Sequence, residues 1–255
     1  MSVADPTEAP AADAPARGVP ATEVPSAGMP SAGTRTRPRR GAGPALAGAL
    51  RALRRALPSP TGTPFTFAYA MVLLGTAIYG DLGDEATVNQ LLRDSSTDAA
   101  HLAERPLLVL IASALWIAGG VFTAYGLAFP FVLGALERRV GGLRTAGVFL
   151  FGHIVATLAT ELPVAGAVAA GRLPEASLHR LDYGVSFGVM ACVGALAGFV
   201  PRGVKAALLG VAGLMCAADL VEFADPLASW GHPVALLLGM GCWPVLRDAV
   251  RVRES

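Results

Sequence analysis

Residues 183–200, YGVSFGVMACVGALAGFV, form a run of 18 residues without a charged side chain. An α-helix of about 20 apolar residues is long enough to cross the hydrocarbon core of a bilayer. The whole chain has a similar character, because 53% of its 255 residues are hydrophobic and only 15% are charged, against about a quarter charged in soluble domains. This composition excludes an ordinary cytosolic enzyme, a nucleic-acid binder and a disulfide scaffold, and predicts an all-α polytopic membrane protein.

Six apolar segments of this kind are predicted to span the membrane, and together they form a helical domain over residues 61–248. The segments are 65–80, 109–136, 143–161, 183–200, 203–221 and 229–246. The second is too long for one straight crossing. Gly119 and Gly120 divide it, so its first part is expected either to dip into the membrane or to lie near the surface.

The basic residues predict the orientation of these spans. With the N-terminus inside, 16 of the 20 lysines and arginines fall in inner segments. The other four are Arg93, Arg105, Arg172 and Arg180. Cytoplasmic loops carry the excess of basic residues, so we expect both termini in the cytoplasm, residues 249–255 as a short cytoplasmic tail, and an even number of spans in the inner (plasma) membrane.

The N-terminal region differs in composition from the rest. Residues 1–44 are rich in alanine and proline and are predicted to be disordered, since they cannot bury a core. Residues 45–60 are predicted to form a basic amphipathic segment on the membrane surface. A leucine stripe carries that prediction: Leu46, Leu50, Leu53 and Leu57. A linker with accidentally spaced leucines is the alternative.

The three cysteines are odd in number and widely spaced within apolar segments, which argues against a disulfide framework. They are Cys192, Cys216 and Cys242, and we expect them to be small packing residues. A metal site built from His153, Asp182 and His232 has no supporting ligand spacing. The sequence therefore predicts neither a metal nor another cofactor.

Polar residues within the spans are costly, so each is a candidate for function. The candidates are His153, Glu161, Asp182, Ser186, Asp219, Glu222 and His232. Ser186 and His232 lie on different predicted helices but at a similar depth below the outer face. A serine hydroxyl becomes a nucleophile when a nearby base removes its proton, and a neutral imidazole suits that role. Helix packing for Ser186 and a structural hydrogen bond for His232 remain the alternatives.

Small residues follow one face of the fourth span: Gly184, Gly188, Ala191, Ala195 and Gly198. Such a stripe lets a membrane helix approach its neighbours closely. The same region reads Gly-x-Ser-x-Gly, which in soluble hydrolases requires a strand, a turn and a helix. An apolar helical segment does not supply that setting, so the soluble-hydrolase interpretation is discarded.

Three motifs, in this order, resemble those of the rhomboid family of intramembrane serine proteases. Residues 134–141, GALERRVG, resemble the family's G-x-x-x-E-x-x-x-G loop. Residues 184–186, GVS, lie where the family places its G-x-S nucleophile. Residues 232–239, HPVALLLG, resemble H-x-x-G-x-x-x-G with Ala235 in place of the first glycine. The resemblance implies a six-transmembrane rhomboid-like bundle in which Ser186 and His232 form a catalytic dyad, with Gly184 supporting the serine.

The sequence departs from the family at two places. Active rhomboids carry H-x-x-x-N in the second span, where this chain has Val121 and Tyr125 in one register. In the other register it has Thr123 and Leu127. Phe187 also replaces the glycine that usually follows the serine.

Two further residues are candidate supports for the dyad. His153 lies in the middle of the third span, with an interhelical hydrogen bond as its alternative role. Asp182 precedes the serine by about one helical turn and is within reach of an imidazole.

Two functions follow from the resemblance. One is an intramembrane serine endopeptidase that cleaves single-span membrane proteins near the outer face, with the lipid bilayer as its other partner and no nucleic acid. The alternative is a rhomboid pseudoprotease that binds or escorts membrane proteins without cutting them. A small transporter with Asp219, Glu222 and His232 as a proton relay is a third possibility from a different class.

Overall fold

A computed structural model describes residues 48, 53, 54, 56–222 and 226–254 of the chain. The predicted disordered tail, 1–44, and half of the amphipathic segment, 45–60, lie outside these residues. The side chains of residues 222, 226–228, 253 and 254 are also outside the description.

The described residues form ten α-helices, short 3₁₀ turns and no strand. The α-helices are α1 Pro64–Leu82, α2 Glu85–Asp94, α3 Ala99–Glu104, α4 Pro106–Ser113, α5 Ala124–Val140, α6 Gly142–Ala169, α7 Ser186–Leu196, α8 Arg202–Glu222, α9 Pro226–Gly241 and α10 Trp243–Glu254. A 3₁₀ turn at Glu175–His179 precedes α7 and another at Ala197–Phe199 follows it.

Four stretches of helix in the described part are long and apolar enough to cross a membrane. They are Pro64–Leu82, Gly142–Ala169, Arg202–Val221 and Ser229–Val252, which correspond to four of the six predicted spans. This finding supports a multi-pass membrane protein. The predicted fourth span is a shorter apolar helix, Ser186–Phe199. The full count of six spans therefore remains a prediction.

The predicted second span is divided in two. Helix α4 ends at Ser113 and α5 begins at Ala124. Between them the backbone turns at Gly119 and Gly120, whose φ angles of 73° and 88° favour glycine. Helix α5 then starts where the Thr123 hydroxyl caps the amide of Gly126 at 3.2 Å. These turn and cap residues explain why one long apolar run does not form one helix.

Helix α7 lies at the centre of the bundle. Every residue from Phe187 to Leu196 is buried, and the helix packs against α5, α6 and α9. Glycines permit this packing, because a Cβ at Gly194 would overlap the carbonyl oxygen of Leu236 in α9. Likewise, a Cβ at Gly239 would overlap the carbonyl oxygen of Ala191. The backbones of α7 and α9 are therefore in direct contact, as small residues allow in membrane helices.

Glu137 connects the end of α5 to the beginning of α1. Its buried carboxylate accepts hydrogen bonds from the backbone amides of Phe65 at 3.0 Å and Thr66 at 2.8 Å. The Thr66 hydroxyl donates a third bond at 2.6 Å. The first amides of a helix have no partner within it, so Glu137 satisfies two of them across 71 or more residues of sequence.

The segment before α7 is fastened to the loop between α2 and α3. The amide of Thr97 donates to the carbonyl oxygen of Asp182 at 2.7 Å, and its hydroxyl donates to the Asp182 carboxylate at 2.9 Å. The amide of Asp182 donates in return to the hydroxyl of Ser96 at 3.1 Å. Both loop residues are buried. This polar contact holds the chain four residues before Ser186.

We predict that Gly194→Ala destabilises the protein by about 1–3 kcal/mol, the usual cost of adding a methyl group to a filled interior. The added Cβ must push α7 away from the Leu236 carbonyl of α9. Thermal unfolding in detergent measures the change. Gly210→Ala in α8 is the matched control, since nothing lies within 4 Å of the Cβ it adds. Equal unfolding temperatures for the two variants would contradict the close α7–α9 contact.

We predict that Thr97→Val speeds amide hydrogen exchange in residues 182–187 by about two- to tenfold. The substitution removes hydroxyl bonds to Asp182, and a net hydrogen bond contributes about 0.5–1.5 kcal/mol. Hydrogen-exchange mass spectrometry of peptides covering this segment gives the measurement. Thr87→Val is the control, because Thr87 is exposed and its hydroxyl bonds only within the α2 cap. Unchanged exchange next to α7 would show that the loop does not hold the segment.

Candidate functional site

Ser186 and His232 line the same cavity, which has a volume of about 430 Å³. Ser186 comes from α7 and His232 from α9. Tyr125 of α5 and Asp182 also line this cavity, together with the turn that leads from α4 to α5. Ser186 and His232, which the sequence predicts at a similar depth, thus also line one cavity.

The backbone around Ser186 is set by glycine and by two hydrogen bonds. Gly184 has a φ of 130°, a conformation that other residues rarely adopt. Its amide donates to the carbonyl oxygen of Ser113 at 3.0 Å, and the amide of Val185 donates to that of Trp116 at 3.1 Å. Ser186 is then the first residue of α7. The serine therefore lies at the positive end of a helix, where the first amides have no helical acceptor.

His232 is held by a carboxylate and two aromatic rings. Its Nδ1 lies 3.0 Å from Oδ2 of Asp219 in α8. One face of the imidazole stacks on Tyr125, with ring centroids 4.7 Å apart and planes at 23°. Phe187 meets the ring edge-to-face at 5.3 Å. The imidazole is buried, so its orientation is fixed from three helices.

No hydrogen bond joins Ser186 to His232 within the described part of the chain. Catalytic hydrogen bonds are often long in the absence of substrate and tighten when it binds. The two side chains share one cavity, and the residue after the serine, Phe187, touches the imidazole directly. Chemically, the arrangement offers a hydroxyl, an imidazole and a helix N-terminus around one volume.

His153 is placed away from this cavity and joins α6 to α4. Its Nε2 lies 3.1 Å from the Leu110 carbonyl oxygen and 3.1 Å from the Ser113 hydroxyl. A carbonyl only accepts, so Nε2 carries a hydrogen. Among the described residues that line the cavity, His153 is not present. Its geometry is that of the interhelical hydrogen bond considered as the alternative in the sequence.

Asp182 lines the cavity, while its carboxylate accepts a hydrogen bond from Thr97 and its amide donates one to Ser96, both in the loop between α2 and α3. The carboxylate that meets the imidazole belongs to Asp219 instead. Sequence reasoning included Asp219 among the candidate polar residues but gave it a role only in a transporter relay. A signal was available, because Asp219 and His232 lie near facing ends of consecutive helices. The side chain of Glu222, the third member of that relay, is outside the described residues.

The residues at the positions of H-x-x-x-N differ in whether they line the cavity. Tyr125 and Thr123 line the cavity, and Thr123 uses its hydroxyl to cap α5. Leu127 is 53% exposed. Tyr125 stands at the asparagine position in one of the two registers, and it faces the site with an aromatic ring stacked on His232 and not with an amide.

The three cysteines are free. Within the described ranges, no group of three or more histidine, cysteine, aspartate or glutamate residues is arranged to hold a metal ion.

Residues 61–252 match the family model described as "Rhomboid-like protein". No curated protein sequence and no solved structure matches the chain. The family match covers about three quarters of the sequence and includes the Glu137 loop, the turn before Ser186 and the helix that carries His232. On this evidence the chain is a membrane protein that belongs to the rhomboid-like protein family.

Proposed function

We propose that this rhomboid-like protein is an intramembrane serine protease that uses Ser186 and His232 to cleave single-span membrane proteins. One observation carries the proposal: the serine and the histidine, from α7 and α9, line one cavity of about 430 Å³. A nucleophile and a base that converge on one volume are the basic arrangement for acyl transfer.

The proposed chemistry has two steps. Ser186 Oγ attacks the carbonyl carbon of a peptide bond while His232 takes the hydroxyl proton, and the proton passes to the leaving amine as the peptide bond breaks. Water then attacks the acyl-serine ester, His232 takes its proton, and Oγ recovers that proton as the carboxylic acid leaves. The positive end of α7 lies beside the carbonyl oxygen, where negative charge develops.

The proposal includes the placement of the domain in the membrane. Six spans, with both termini in the cytoplasm of the cell, put the Ser186 cavity towards the outer face. The distribution of lysine and arginine supports this orientation. Water and the substrate backbone must both reach Ser186. The serine lies at the start of a helix and beside a cavity, and this position favours such access.

A pseudoprotease that binds membrane proteins without cutting them is the second candidate. The observation that favours it is the side-chain chemistry at the H-x-x-x-N positions, where the chain presents Tyr125 or Thr123. Removing one oxyanion donor costs about 10²–10³-fold in rate. The retained serine, histidine and shared cavity favour the protease.

We predict that a fluorophosphonate probe labels the detergent-purified protein at Ser186. Attack by Oγ on phosphorus forms a phosphonyl ester and expels fluoride, a reaction that needs an activated serine. Ser186→Ala should abolish labelling, and His232→Ala should slow it by at least about 10³-fold. Labelling is followed by gel fluorescence and intact-mass spectrometry.

Ser177→Ala and His179→Ala are the matched controls, because both residues lie in the 3₁₀ turn before the site and line no part of the cavity. They should label at the wild-type rate. If folded wild-type protein does not label, the protease proposal fails and the pseudoprotease becomes the preferred function. Thermal unfolding of each variant confirms that differences in labelling do not reflect loss of folding.

A further inference from the structure

The Asp219–His232 contact assigns the hydrogen on the imidazole. Nδ1 lies 3.0 Å from Oδ2 of Asp219. An ionised carboxylate has only acceptor positions, so Nδ1 must carry the hydrogen that it donates. In the neutral ring the lone pair is then on Nε2. That nitrogen is the one that can accept a proton from a hydroxyl.

The contact also joins two helices at the end of the bundle where Ser186 lies. The Ser229 hydroxyl donates to the backbone carbonyl oxygen of Asp219 at 2.8 Å. The side chain of Asp219 bonds His232, which is one helical turn beyond Ser229. Backbone and side chain of one aspartate thus both contact α9, so the carboxylate is held in register with the imidazole.

Two aromatic rings restrict how the imidazole can rotate. Tyr125 stacks on one face and Phe187 meets the ring edge-to-face. Gly231 makes room for Phe187, because a Cβ at Gly231 would overlap the phenyl ring. Phe187 stands where the family usually has a glycine after the serine. This departure from the family pattern therefore also helps to set the distance between α7 and His232.

We infer that Asp219 is a positioning residue for the proposed reaction and completes a Ser186–His232–Asp219 triad. Its carboxylate holds His232 in the Nδ1–H tautomer and stabilises the imidazolium that forms when Ser186 loses its proton. Tyr125 and Phe187 hold the ring plane while the proton moves. This inference rests on the proposed function, since it assigns how the base of that reaction is oriented.

The first test is the tautomer of His232 in the folded protein. The chain has only four histidines, so ¹⁵N-histidine labelling in detergent micelles gives few resonances, and His232→Ala identifies the one of interest. A wild-type ring with hydrogen on Nδ1 is expected. Asp219→Asn should move the hydrogen to Nε2, because the amide donates to Nδ1. A wild-type ring with its hydrogen on Nε2 would overturn the inference.

The second test is the kinetics of fluorophosphonate labelling. Asp219→Asn should lower the rate constant at saturating probe by about 10²- to 10⁴-fold, while the fraction finally labelled and the concentration for half-saturation stay near wild type. A merely structural role would lower the labelled fraction instead. Asp219→Glu, which keeps the carboxylate, should restore part of the rate. Asp248→Asn is the control, since Asp248 is 75% exposed and forms an ion pair with Arg251 in α10.

The outcomes separate the inference from the proposed function. Wild-type protein that does not label overturns the proposed function and the triad with it. Wild-type labelling that Ser186→Ala abolishes, but that Asp219→Asn leaves within about threefold, keeps the protease and overturns only the role of Asp219. Loss of rate at full labelled fraction, with recovery in Asp219→Glu, supports the triad.

Discussion

The direct backbone contact between α7 and α9 is the constraint on which the rest of the structure depends. Gly194 and Gly239 remove the side chains that would separate the two helices, and the burial of α7 on all sides follows from that approach. Ser186 begins one of these helices and His232 lies in the other, so this packing acts together with the contact between Phe187 and His232 to set the distance between them. In a bilayer, where lipid tails are as apolar as leucine, such close packing supplies much of the association energy.

Polar contacts complement this packing at both ends of the bundle. At one end the Glu137 carboxylate receives the first amides of α1, and at the other the loop containing Thr97 holds the segment before α7. These bonds join residues more than 70 positions apart in the sequence. The turn at Gly184 is thus held from two directions, by the loop on one side and by Ser113 and Trp116 on the other.

Sequence reasoning locates four helices that are long and apolar enough to cross a membrane and the small-residue face of α7, because hydropathy and helical period report depth and face directly. It also predicts Ser186 and His232 in one region, and both residues line one cavity. Sequence reasoning does not identify the carboxylate that contacts the His232 imidazole. Asp182 is adjacent to the serine in sequence, yet its side chain turns to Thr97, and Asp219 meets the imidazole instead. Which of two acids at the same depth faces a given ring depends on the rotation of each helix, and that rotation is set by packing. The same limit applies to His153, whose depth fits the site but whose side chain bonds α4.

The short length of α7 has a consequence for how the protein is made. With its 3₁₀ end it covers Ser186–Phe199, which is about 20 Å of helix and less than a bilayer core. A helix of this length is buried by contact with its neighbours in the bundle. Its glycines pack on Leu236 and Trp243, which leave the ribosome some 40 residues later. These contacts at the centre of the bundle can therefore form only after the later residues have been synthesised.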